Sequence, residues 1–186
     1  MNRFLVYLLA AGWGTRAGGP KAWLEEEGKS LMARQFEFLL HRFPPSSIAV
    51  SIQADWLERC RAIHPDVNWV PVDPDASPLA SLQALLASLP MTAWSFVFHV
   101  DMPVWEEELF YLLASHLPRV DVEPAEALLP THNGRGGHPV FLSPGIAAHL
   151  AALDPVTGRL DQFLKTRRVR HVEVPYPCIL ENWNAG

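Results

Sequence analysis

Apolar and polar positions along this chain follow two different periods. Short continuous apolar runs, bounded by glycine, proline or charge, read as buried strands: Phe4 to Leu9, Ile48 to Ile52, Val67 to Val72 and Trp94 to Val100. Between them the apolar residues recur every three to four positions, which predicts helices over Leu31 to Phe43, Asp55 to Ile63, Leu79 to Leu89 and Trp105 to Leu117. Ser30 and Asp55 are the expected N-caps of the first two, and Pro44-Pro45 stops the first. In the last third the signals are shorter. Strands are expected at Ala127 to Leu129, His138 to Leu142, Val169 to Val174 and Cys178 to Asn182, with short helices at Pro144 to Leu153 and Leu160 to Arg167. Strands alternating with helices imply βαβ units and a mostly parallel sheet covered on both faces. Ligands of such sheets bind beyond the C-terminal ends of the strands.

The bulk properties narrow the function classes. A chain of 186 residues with 49% apolar content is expected to form a single domain over residues 1–186. A net charge of −5 argues against a general nucleic-acid or anionic-membrane binder. No apolar run approaches the roughly 18 residues of a membrane span, and the N-terminus lacks a signal-peptide pattern. The two cysteines, Cys60 and Cys178, fit no zinc or redox spacing and are expected to be reduced thiols of a cytoplasmic protein.

Candidate chemistry gathers first in the stretch after the opening strand, Leu9-Ala10-Ala11-Gly12-Trp13-Gly14-Thr15-Arg16-Ala17-Gly18-Gly19-Pro20-Lys21. Its glycines suit a loop whose amides converge on an anion, and Arg16 and Lys21 add positive charge. The GxxxxGK[ST] pattern is missing, and Ala17 stands where GxGxxG needs its third glycine. The alternative is a glycine-rich surface turn with solvated charges. Asp101 follows an apolar strand and suits a hard cation such as Mg²⁺, whose remaining positions phosphate and water fill. Its competing role is a cap for the helix near Trp105. The segment Leu129 to Val140, rich in glycine with two histidines, reads either as a mobile ligand-contacting loop or as a plain hairpin connection. Glu25 to Glu27 reads as a solvated acidic turn, and His99 as one of several surface or strand-end histidines.

Taken together these residues resemble the nucleotidyltransferases that complete the molybdenum cofactor. Leu9 to Lys21 is similar to the family's LAAGxGxRxGxxK nucleotide loop, and Asp101-Met102-Pro103 to its DMP metal element. Asp73-Pro74-Asp75 with Ser81-Leu82 resembles the segment near the base. Asn133 to Val140 resembles the NGxxGHPV segment of the cytidylyl branch, towards which Ala11 also leans, and Asn182-Trp183-Asn184 the closing NxN or DxD element. Two features depart from the family: Ser77 replaces the usual glycine, and the TPxD continuation after Asn184 is absent.

The resemblance implies a three-layer α/β/α Rossmann-like nucleotidyltransferase fold, with Mg²⁺ as cofactor. It implies transfer of a nucleoside monophosphate from an NTP, CTP favoured, to a phosphate acceptor such as molybdopterin, with release of pyrophosphate. The carried-over roles place Lys21, Arg16 and Asp101 in catalysis and Asp101 with Asn184 on the metal. Leu9, Ala10, Ala11, Gly12, Gly14 and Ser81 hold the nucleotide, and His138 faces the acceptor. Molybdoenzyme maturation factors are the implied protein partners, with no nucleic acid and no membrane. Competing expectations are a sugar-phosphate nucleotidyltransferase and a nucleotide-binding module without turnover.

Overall fold

The computed structural model describes residues 1, 3–14, 20–26, 28–117 and 124–183. A mixed sheet carries the fold. Its strands are β1 (Leu5–Leu9), β4 (Ile48–Ile52), β5 (Asn68–Pro71), β6 (Ser95–His99), β7 (Ala127–His132), β8 (Arg135–Gly136), β9 (Val140–Leu142) and β10 (Val169–Glu173). The main order is β10-β7-β9-β6-β1-β4-β5, with β8 paired to β7, and β2 (Glu25–Glu26) and β3 (Lys29–Ser30) form a separate small ribbon. The β4–β1–β6 and β4–β5 neighbours are parallel, as are β7 and β10; β9 runs antiparallel between β6 and β7.

Alternation along each strand divides the core into two layers. On β1, Val6 and Leu8 face a cluster with Phe36 and Leu39 of α1 (Leu31–Leu40), Cys60 of α2 (Leu57–Ile63) and Phe110 of α4 (Glu107–Ser115). Tyr7 and Leu9 face the opposite cluster, with Leu82 and Leu85 of α3 (Pro78–Ser88), Leu150 of α5 (Ala147–Ala151) and Phe163 of α6 (Leu160–Leu164). Helices therefore cover both faces, as the strand–helix alternation implies.

The elements differ from their expected outlines where local chemistry outweighs pattern. Ser30 caps α1 as expected, its Oγ accepting from the Ala33 amide at 3.2 Å. Asp55 does not cap α2; it lies inside a short 3₁₀ turn, Ala54–Trp56, that leads into the helix. Cys178 to Asn182 is not a strand, because Pro177 opens a 3₁₀ turn over Pro177–Leu180. The segment after Thr131 is a tight hairpin. Asn133 and Gly134 both have positive φ, 51° and 73°, the two-residue turn that matches the twist of paired strands. Glu173 closes it from β10, accepting from the Asn133 amide at 2.7 Å and the Thr131 hydroxyl at 2.6 Å. Of the acidic stretch, Glu25 and Glu26 form strand β2, paired with β3, and Glu27 lies outside the described residues.

Candidate functional site

The sheet order reverses at β1 and β6, and the two strands run parallel with Leu9 opposite His99. The Val100 amide donates to the Leu9 carbonyl at 3.0 Å, so the segments leaving both strands start side by side. This is the crevice at which parallel α/β sheets receive ligands. The glycine loop and Asp101 share it.

The first turn of the loop is fixed from β4. The Ala10 amide donates to the Ser51 carbonyl at 3.1 Å and to its Oγ at 3.2 Å, while the Gln53 amide group donates to the Ala11 carbonyl at 2.9 Å. The Leu9 carbonyl and the Ala10 amide are thus committed to the sheet edge. Beyond them, the amides of Ala11, Gly12, Trp13 and Gly14 donate to no described residue. Gly14 has φ of 60°, the left-handed backbone that turns successive amides towards one point. Arg16 falls in the stretch 15–19, outside the described residues, as does Asn184.

Lys21 returns on the far side of the loop in a 3₁₀ turn anchored by the fully buried Ala22. Its Nζ donates to Asp101 Oδ2 in an ion pair whose side chains are 28% and 12% exposed. Asp101 caps no helix, since α4 begins at Glu107 behind Glu106 and no side chain caps it. The loop bearing Asp101 is held from beneath by Gln35 of α1, which is wholly buried. Its Nε2 donates to the carbonyls of Val100 at 3.1 Å and Met102 at 2.7 Å. From above, the Trp183 amide donates to the Asp101 carbonyl at 2.6 Å, so the C-terminal segment reaches this edge one residue before Asn184.

A cavity of about 960 Å³ adjoins this edge on the face covered by α3 and α6. Leu9, Leu82, Val97, Leu129 and Val140 line it, with Arg159, Lys165 and Arg167 along the wall that α6 and the flanking loops supply. His99 and His138 stand in it with ring centroids 6.3 Å apart, edge to face. Burial is the main reason both imidazoles titrate below the ordinary histidine value, His138 at about 4; a nearby Asp101 charge opposes the shift in each. Gly137 admits no side chain, because a Cβ there would lie 2.3 Å from the Ile179 carbonyl oxygen. The His138 amide donates to that same oxygen at 2.9 Å, pinning the hairpin to the C-terminal segment. Ser77 caps α3, accepting from the Ala80 amide at 3.0 Å, and Ser81 is buried on the same helix.

The sequence-derived residues Leu9 to Gly14, Lys21, Asp101 and His138 thus come together around one edge of the sheet. Ser81 sits on α3, which packs over β1, β4 and β5. Gln35, Gln53 and His99 carried no motif signal. A glutamine on the apolar face of a helix was the available sign for Gln35 alone.

Solved structures share this fold. An Rv0371c homolog from Mycobacterium sp. strain JC1 superposes with a TM-score of 0.73 at 20% identity, covering 94% of this chain and 87% of its own. Rv0371c of Mycobacterium tuberculosis in complex with manganese gives 0.69 at 17%, covering 99% and 96%. Molybdopterin-guanine dinucleotide biosynthesis protein A of Archaeoglobus fulgidus gives 0.66 at 18%, covering 96% and 91%. No significant match was found among curated proteins. The model of the MobA-like NTP transferase domain matches residues 6–173, a span that holds the glycine loop, Lys21, Asp101 and the His138 hairpin, and the chain belongs to that nucleotidyltransferase family.

Proposed function

We propose that the protein transfers a cytidylyl group from CTP to the phosphate of molybdopterin, with Mg²⁺, releasing pyrophosphate. The observation that carries the reading is the Lys21–Asp101 pair, set at the edge where the loop amides of Ala11 to Gly14 donate to no described residue. Those amides are donors for the β- and γ-phosphates, with Arg16 joining them by its place in the motif. Lys21 then meets the charge that grows on the α-phosphate as an acceptor oxygen bonds to phosphorus and the bond to the β-phosphate breaks. The Ala10 backbone carbonyl takes the base side together with Ser81. His138 faces the acceptor.

The donor set fits a divalent cation delivered with a nucleotide. Among the described residues no cluster of three or more His, Cys, Asp or Glu forms a cage, and Mg²⁺ is commonly held by one or two carboxylates with substrate phosphates. Asp101 is the carboxylate, with Asn184 as its companion by sequence position. When bound, the ion would neutralise charge on the transferring phosphate. The manganese complex of a protein of the same fold supports a divalent metal as cofactor.

The test is pyrophosphate release with Mg²⁺ from CTP, GTP, ATP and UTP in turn, with and without molybdopterin. Release with CTP and molybdopterin together is the expected result. Turnover with a simple sugar phosphate would reassign the acceptor. Tight CTP binding without turnover would make the chain a binding module.

A further inference from the structure

We propose that the groove between α1 and the segment joining Asp101 to α4 binds a phosphate-bearing anion. The groove lies outside the candidate site, and the inference stands apart from the transferase reading. Arg34, Phe38, His41 and Arg42 follow one another at helical spacing on α1 and its C-terminal end, so they share one face. Trp105, a few residues beyond Asp101, lines the groove from the other segment, and Lys29 of β3 lines it too. Its volume is about 560 Å³.

Most polar groups here satisfy one another. Lys29 pairs with Glu37 at 2.8 Å, and His41 Nδ1 meets the Glu37 carbonyl at 2.6 Å. Arg42 donates from Nη2 to Glu107 at 2.9 Å and from Nη1 to the Phe38 carbonyl at 2.8 Å. Two donors remain. Arg42 Nε and Trp105 Nε1 are buried and have no hydrogen-bond partner among the described residues. Both can only donate. The Arg42 guanidinium lies 4.0 Å from the centre of the Phe38 ring, and the Arg34 guanidinium 5.8 Å from that of Trp105. Buried polar atoms are overwhelmingly bonded in native proteins, so two orphaned donors on residues lining one groove point to a ligand that supplies acceptors.

The donors define the ligand's chemistry. Water would satisfy an N–H but brings no charge to the guanidiniums, and a carboxylate offers two oxygens. A terminal phosphate offers three, one each for the indole, Arg42 and Arg34, and charge-assisted bonds of that kind are the strong ones. The site also has a bearing on Asp101. Gln35, next to Arg34 on α1, holds the Val100 and Met102 carbonyls from within. An anion bridging α1 and Trp105 joins the same two segments from outside.

Proton–nitrogen correlation NMR reads the indole N–H directly, and the Trp105 peak is identified by its loss in Trp105→Phe. It should move saturably on titration with inorganic phosphate, pyrophosphate or glycerol phosphate at constant ionic strength. The tightest of the three tells a free anion from an organic monoester. Arg34→Gln should weaken binding about 10-fold while the other indole peaks hold their places, the sign of an intact fold. Lys21→Ala should leave the titration unchanged. The proposal is overturned if none of the three moves the Trp105 peak, if chloride moves it as far, or if Lys21→Ala abolishes the shift. A response to polyglutamate and not to phosphate would also overturn it, marking the groove as a surface for acidic protein.

Discussion

Lys21 and Asp101 lie 80 residues apart along the chain and meet at a largely buried edge. A pair so placed holds each partner where a phosphate would need it, which is why removal of either should act mainly on rate. Lys21→Ala and Asp101→Ala should each lower the steady-state rate of pyrophosphate release on the order of 10²–10³-fold, the usual loss for one charge contact in a dry site. Circular dichroism should show both still folded. Retention of more than a few per cent of the rate by either variant would remove it from the catalytic set. Gln35 belongs to the same scale but acts on position. Replacing it with leucine leaves the Val100 carbonyl unsatisfied, at about 1–3 kcal/mol, while the Met102 carbonyl keeps the Val104 amide as donor at 2.9 Å. Urea unfolding should therefore show a loss of about 1–3 kcal/mol, with a fall in kcat as Asp101 loosens. An unchanged denaturation midpoint would show that the two bonds do not hold the loop.

At the scale of elements, the hairpin of β7 and β8 and the C-terminal 3₁₀ turn lock to each other through Gly137. A methyl group there collides with the Ile179 backbone as well as its side chain, and the backbone cannot swing away, so Gly137→Ala must move one segment off the other. The expected result is a lower unfolding temperature together with a raised KM for the acceptor, because His138 follows directly. Wild-type values for both would mean that the contact yields without consequence. This joint also shows what was legible from sequence. The strands around the crevice were readable because their apolar runs are long and uninterrupted, and the glycine loop, Asp101 and the His138 segment because their spacing carries chemistry. Spacing alone does not decide between a mobile loop and a plain hairpin connection at this segment. A two-residue Asn133-Gly134 turn and a Glu173 carboxylate 40 residues downstream order it, and the second is a tertiary fact. Asp55 looked like a cap because its residue type fits one, yet a 3₁₀ turn places the helix start beyond it. His99 was indistinguishable from any strand-end histidine, since its setting depends on a cavity assembled by β1, β7, α3 and α6.

At the scale of the whole molecule, the histidines and the carboxylates divide the acid limb of stability between them. Folding holds His64, His99 and His138 below their ordinary titration range, chiefly through burial, with His138 at about 4. The unfolded chain takes up protons on these rings as pH falls through about 6.5 while the folded chain does not. Proton uptake by the unfolded state alone means that stability falls with falling pH, and the loss from His138 is complete once pH passes its folded value. A fall from 6.5 to about 4 corresponds to roughly 3 kcal/mol from that group. The lowered carboxylates, Glu37, Asp154, Asp161 and Glu173, lie at the surface. They contribute above their unfolded values near 4 and lose that contribution only as pH drops through their lower folded ones. The histidine loss therefore comes first. Urea unfolding at pH 7.5, 6 and 5 should show stability already declining before any carboxylate titrates, and His138→Asn should flatten part of that slope. A stability that stays level from pH 7.5 to 5 would mean that His138 reaches solvent in the folded chain, and its burial beside the cavity would have to be abandoned with it.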